Sequence, residues 1–371
     1  MNSVSMIAAL VLAAAYGIGF FVLSYRSCTA PRGTTQWIRE YDRPRFSMGT
    51  AVPFSWQELR FGLIAVGIAV VFNIAMLTVM GDLRWADGVS ATATAALTAA
   101  AAYLLSWSMS GERLTAVLTA SVLPLTAFLL GAHTVFLLLT ALSLWLWMTG
   151  APWWSLMIGA ASLAVAAYFL PQLWLVGLPL LAVVAFCAWQ RVETDRCSVA
   201  KAVGTVAMTV GVFVAVLILT YVPWAITAGL GFPQCFGEPV FWSSVASAVF
   251  PPELIPIYQG EVDIWLYLYG FLNLPCVSLT FAGAFASAYL LWRDRTGEAL
   301  FTCVWCVSAM LMYLFSVEFT AVGAAAALSC FLPRLRRRQT LTVSVTASAL
   351  PVLGVIASDI VFILFCYSYQ I

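Results

Sequence analysis

The sequence predicts an all-α, polytopic integral membrane protein of about twelve transmembrane helices with both termini outside. Two observations carry this. The chain is 63% hydrophobic and 9% charged, with a mean hydropathy of +0.97. Its apolar runs recur from end to end at about 20 residues, the length that crosses a hydrocarbon core of ~30 Å. The second observation is the distribution of charge. When the runs are threaded in order, 16 of the 17 Lys and Arg residues fall on one side, with Arg84 the exception. Short loops rich in Lys and Arg stay cytoplasmic, so the alternation labels the two faces.

The first span is read at 6–24. No Lys or Arg precedes it, while Arg26 and Arg32 follow. A secretory signal carries its positive charge before the apolar region, so a retained span with an outside N-terminus fits better. The cytoplasmic stretch 25–60 holds Arg39, Arg43, Arg45 and Arg60 together with Trp37, Tyr41 and Trp56. Its end, Ser55-Trp56-Gln57-Glu58, has the pattern of a capping box, in which Ser55 accepts from the Glu58 amide and Glu58 reaches back. An interfacial helix with Trp56 at headgroup depth is expected there.

Spans at 61–80 and 90–109 follow, separated by Gly81-Asp82-Leu83-Arg84-Trp85-Ala86-Asp87-Gly88. The alanines of 90–109 favour close helix packing. Next come spans at 114–130, 133–149, 153–170 and 172–190, with Arg113 and the group Arg191, Arg196 and Lys201 on the cytoplasmic side. Few polar residues divide these runs, and the alternation of charge is what keeps them separate. A span at 202–226 leads to the external stretch 227–263, which holds Pro233, Pro239, Pro251, Pro252 and Pro256 and no basic residue. Prolines at this density break a chain into turns and short helices. Spans at 264–292, 299–316, 319–333 and 341–368 complete the set, with Arg293, Arg295, Arg334, Arg336, Arg337 and Arg338 in their cytoplasmic loops.

The cysteines predict no disulfide. Only Cys235 falls in a clearly external loop, and no external partner accompanies it. Cys303 and Cys306 match C-x-x-C, but inside a span they read as two small apolar residues one turn apart, since redox motifs sit at exposed helix starts. A net charge of +1, with its cations in small groups beside lipid headgroups, points to no nucleic-acid partner and to membrane lipids instead.

Seven acids are assigned to the outside: Asp82, Asp87, Glu238, Glu253, Glu261, Asp263 and Glu318. They face Arg84 and the lone histidine, His133, at an outer span end. For Glu261 and Asp263, simple solvation is the preferred reading. Asp82, Arg84, Trp85 and Asp87 are different, because two carboxylates, an Arg and an aromatic share one short segment between spans. Carboxylates serve as general bases or bind cations, and Arg holds phosphate by its planar fork. Solvated loop charges remain the even alternative. Asp359 is the one carboxylate well inside a span, and intramembrane acids cost at least about 2.5 kcal/mol on insertion scales. It carries either a functional role or a hydrogen bond to a neighbouring helix.

Four features give the chain a resemblance to the C superfamily of membrane glycosyltransferases, and within it to the protein-mannosyltransferase branch. The lead-in Phe54-Ser55-Trp56-Gln57-Glu58-Leu59-Arg60 precedes the core's first helix. An external loop with Asp82 and Asp87 follows that helix. Phe169-Leu170-Pro171-Gln172 is similar to a Lys-Pro-Gln turn of bacterial members, with Leu170 in place of the Lys. Tyr221-Val222-Pro223-Trp224 ends the seventh core helix before a long external loop. The first external loop here is much shorter than the family's.

The resemblance implies three parts: an N-terminal span with its interfacial segment (1–60), a seven-helix core with its external loop (61–263) and a C-terminal four-helix membrane region (264–371). It also implies sugar transfer from a polyprenyl-phosphate carrier to an acceptor on the outer face of the cell membrane. Asp87 or Asp82 would act as catalytic base. Arg84, Trp85, His133, Glu238 and Glu253 would line the substrate site. No cofactor is implied, and a divalent metal stays open, as do the sugar and the acceptor. A reduced or inactive member of the family is an alternative. So is a multi-pass transporter or lipid translocase using Asp359 and His133 for coupling protons, or a non-catalytic subunit of an envelope assembly.

Overall fold

The computed structural model describes residues 48–80, 85–122, 132–169, 173–194, 196–227, 274–313 and 319–337, and its regular elements there are helical. The expected spans at 6–24 and 341–368 and the external stretch 227–263 lie outside the described residues. Ten helices are seen: α1 (Trp56–Met80), α2 (Trp85–Ser110), α3 (Arg113–Val122), α4 (Ala132–Met148), α5 (Trp153–Phe169), α6 (Trp174–Glu193), α7 (Val199–Thr227), α8 (Leu274–Asp294), α9 (Gly297–Tyr313) and α10 (Phe319–Arg337). Three are long and apolar enough to cross a membrane, in the stretches Val89–Ser110, Val176–Glu193 and Val199–Thr220.

Helix α7 makes the strongest case for a lipid environment. Its 29 residues span about 43 Å at 1.5 Å each, yet only 6% of its apolar stretch is buried in the protein. Val203, Met208, Val214 and Leu219 stand exposed along it. In water such a face would be an association liability.

The joint between the expected spans at 133–149 and 153–170 is made by backbone chemistry. α4 ends in a Schellman motif: Gly150 N–H donates to Trp147 O at 3.2 Å and Ala151 N–H to Leu146 O at 2.9 Å. Gly150 sits at φ 114°, a conformation that a side chain strains. Pro152 follows and cannot continue the helix. α4 therefore folds back on α5, its most extensive neighbour. α5 ends at Phe169 and α6 begins at Trp174.

Two apolar clusters form the core. The larger joins α1 to α7 with α9 and α10 around Tyr103, Trp145, Trp147 and Phe301; the smaller joins α8, α9 and α10 around Leu279, Leu328 and Phe331. Small residues let α8 and α10 approach closely. A Cβ on Gly283 would lie 2.6 Å from Ala327 Cβ, and one on Gly323 would lie 2.6 Å from Thr280 Cγ2. Gly323 and Ala327 are four apart, the small-xxx-small spacing of intramembrane helix pairs.

Several boundaries depart from expectation. α2 starts at Trp85, so Trp85-Ala86-Asp87-Gly88 is the first helical turn and not part of a loop. α10 runs through Pro333 to Arg337, so Arg334 belongs to a helix where a cytoplasmic loop was expected. The capping box is not formed as drawn. Glu58 N–H donates to the backbone oxygen of Ser55 at 3.0 Å, while the Glu58 carboxylate turns away to Arg113.

Candidate functional site

At one end of the bundle the chain entering α1 lies across the ends of α2 and α3. Val52 N–H donates to Ser108 O at 3.1 Å, and Trp107 Nε1–H donates to Pro53 O at 3.2 Å. Tyr103 O–H donates to Glu58 O at 3.2 Å. The Glu58 side chain is 5% exposed and accepts from Arg113 Nη2 at 2.8 Å and from Nε at 3.0 Å. Arg113 also stacks over the Phe61 ring at 4.9 Å. The hydrogen bond that Arg113 donates to Glu58, with the carboxylate's negative charge, raises the pKa of Arg113. A nearly buried carboxylate gripped by a guanidinium fork acts as a latch between the two helix starts.

Other pairs gather at the same end. Arg191 Nη2 donates to Trp147 O at 2.5 Å and its guanidinium lies over the Trp147 ring at 4.3 Å. Arg334 Nη2 donates to Glu298 at 2.7 Å, and Gly297 packs against the backbone of Met48. Trp145 and Phe301 meet edge to face at 5.4 Å. Each contact joins residues at or beside the cytoplasmic end of their expected spans. At the opposite helix ends, Thr92 donates to Asn73 Oδ1 at 3.0 Å and Thr280 donates to Thr320 O at 2.8 Å.

The sequence-derived site falls mostly beyond this frame. Asp82, Arg84, Glu238, Glu253 and Asp359 lie outside the described residues. Trp85 and Asp87 are placed by backbone only, in the first turn of α2, where a carboxylate complements the helix dipole. His133 is half-buried in the first turn of α4. Cys187, Cys197, Cys303 and Cys306 are not in disulfides, Cys330 Sγ accepts from Arg334 Nη1 at 2.7 Å, and Cys306 contacts the Gly323 backbone oxygen at 3.4 Å, in keeping with a packing role.

The pairing of Glu58 with Arg113 was missed in the sequence. Its signal was present, since both residues flank spans on the same expected face. No family model, no curated protein and no solved structure matches the chain.

Proposed function

We propose that this chain is a multi-pass cell-membrane protein of twelve spans that transfers a sugar from a polyprenyl-phosphate carrier to an acceptor at the outer face. The observation that carries the reading is the packing of α1 against α2, between and at the facing ends of which the sequence holds Asp82, Arg84, Trp85 and Asp87 in close succession. Those ends, Met80 and Trp85, lie opposite the helix ends that hold the latched cations.

Sugar transfer from such a donor needs little machinery. The acceptor oxygen attacks the anomeric carbon while its proton passes to a carboxylate, Asp87 or Asp82. The carbon–oxygen bond to the phosphate breaks, and the polyprenyl phosphate leaves as an anion held by Arg84. The first turn of α2 favours the ionised form of Asp87 and so keeps it ready to accept a proton. Trp85 offers a face to the sugar ring, and His133, Glu238 and Glu253 complete the acceptor side.

The test is transfer by the reconstituted full-length chain from a polyprenyl-phosphate sugar. Asp82→Asn or Asp87→Asn abolishes transfer in a protein that still folds, with at most the small fall in thermal midpoint that loss of one helix-start charge brings for Asp87→Asn, about 0.3–1 kcal/mol. Undiminished transfer in both variants and in the double variant rejects the carboxylate mechanism.

A further inference from the structure

We propose that the cavity between α4, α5, α6 and α7 seats one acyl chain of a bilayer phospholipid. The cavity has a volume of about 270 Å³. That is several times the ~30 Å³ share of one water molecule, so it has room for a length of hydrocarbon chain.

Its chemistry selects the occupant. The lining is almost wholly apolar, and its hydroxyls are those of Thr140 and Thr209. Both hydroxyl hydrogens are already donated within the protein. Thr140 donates to Phe136 O at 2.8 Å and Thr209 to Thr205 O at 2.8 Å. Water needs two to four polar partners to occupy a cavity, and this lining of fifteen residues offers side-chain acceptors only at the two threonine oxygens, with no side-chain donor left. A headgroup or a sugar is excluded for the same reason. Hydrocarbon is what remains.

Its position supplies the source. The α7 residues of the lining, Thr209 to Val214, lie 10–15 residues from the start of the helix at Val199, or about 15–23 Å along it. That depth is near the middle of a hydrocarbon core of ~30 Å. At the mouth, Leu178 of α6 is 60% exposed and Val210 and Val214 are 40% and 43% exposed, the latter two on the same α7 that shows its apolar side to the surroundings. The medium at the mouth is therefore lipid tails. Bulk phospholipid supplies them far in excess of any minor isoprenoid, and mass action fills the site from the abundant species. An unfilled cavity would leave its lining without contacts on one side. The proposal stands on the membrane reading and not on sugar transfer.

The experiment reconstitutes the full chain in phosphatidylcholine vesicles carrying a diazirine on one acyl chain, with cross-links mapped by mass spectrometry. Leu163 and Phe213, which line the cavity, are labelled, and so is Leu219 on the exposed side of α7 as a control. Gly177→Leu fills the cavity, since a Cβ there meets only Leu163 Cδ2 at 3.7 Å. It should remove labelling of Leu163 and Phe213 while Leu219 stays labelled. Thr209→Leu fills the same space from α7 and guards against a folding defect in the first variant. Loss of cavity labelling in either folded variant supports the site. Equal labelling of Leu163 and Phe213 in wild type and in both variants overturns it, as does an unlabelled cavity beside a labelled Leu219. An isoprenyl diazirine that displaces the acyl probe overturns the assignment to phospholipid. An unlabelled Leu219 instead rejects the membrane placement of α7 itself.

Discussion

Arg113 grips the Glu58 carboxylate with two of its nitrogens, at 2.8 and 3.0 Å, across a separation of 55 residues. Glu58 is nearly sealed from solvent while Arg113 remains half-exposed. The fork of the guanidinium matches the two carboxylate oxygens, a geometry that an ammonium does not reproduce. Through this one pair the entry to α1 is fixed to the start of α3. Tyr103 and Trp107, donating to the backbone of the lead-in, fix it to α2.

The asymmetry of burial orders the variants. Arg113→Leu strands a buried carboxylate and gives the largest fall in thermal midpoint in detergent. Glu58→Gln falls less, because the amide oxygen still accepts from Arg113. Adding Glu58→Gln to Arg113→Leu removes the stranded charge and raises the midpoint above that of Arg113→Leu alone. If Arg113→Leu and the double variant melt together, the pair is not a latch.

The crossing of α8 and α10 predicts intolerance to bulk. A side chain at Gly323 would collide with Thr280 and with Ala309 Cβ, at 2.6 and 2.9 Å. Gly323→Leu is expected to cost about 1–3 kcal/mol, the usual range for overpacking a filled core. The same change at Gly204, where nothing lies within 4 Å of an added Cβ, is expected to be silent. Thermal unfolding of the two variants side by side checks this, and equal midpoints count against the packing.

The parts of the fold that were legible in the sequence are those written in local composition. The length of the apolar runs gave the helices, and Arg334 with Glu298 and Arg191 with Trp147 are found as neighbours at helix ends. What stayed hidden depends on partners far along the chain. Ser55-Trp56-Gln57-Glu58 looked like a capping box because that pattern is local, but an Arg fork 55 residues away is the stronger partner for the carboxylate. The span expected at 319–333 left Arg334 in a loop, but a proline near a C-terminal turn gives up one bond, the helix runs on through Pro333, and Arg334 is held by Glu298 and Cys330 beyond it. The first turn of α2 was read as loop because Asp and Gly favour turns, though an acid at a helix start is also favourable.

The threading itself is checked by thiol access. In a Cys235→Ser background, cysteines at Ser55 and Arg337 should be shielded from a membrane-impermeant thiol reagent in intact cells, while one at Gly237 should react. All three should react once the cells are permeabilised. External labelling at Arg337 would invert the assignment of α10 and with it the outer position of the Asp82–Asp87 turn.

Asp359 separates sugar transfer from transport. In a proton-coupled transporter this carboxylate has to change protonation in each cycle, so Asp359→Asn would stop or uncouple transport whatever the stability of the fold. In the proposed transferase the same change replaces one hydrogen-bonding side chain by another of equal size, away from the reacting turn. Its cost should be about 1 kcal/mol or less, the net worth of one hydrogen bond, with most of the activity kept. Asp359→Leu should do more harm, because whatever polar partner Asp359 has in the last span is then left unpaired in a medium that offers no water. Turnover and lipid-substrate binding are measured on the same reconstituted preparation. A folded Asp359→Asn protein that still binds its lipid substrate but has lost all turnover rejects the transferase assignment and favours transport.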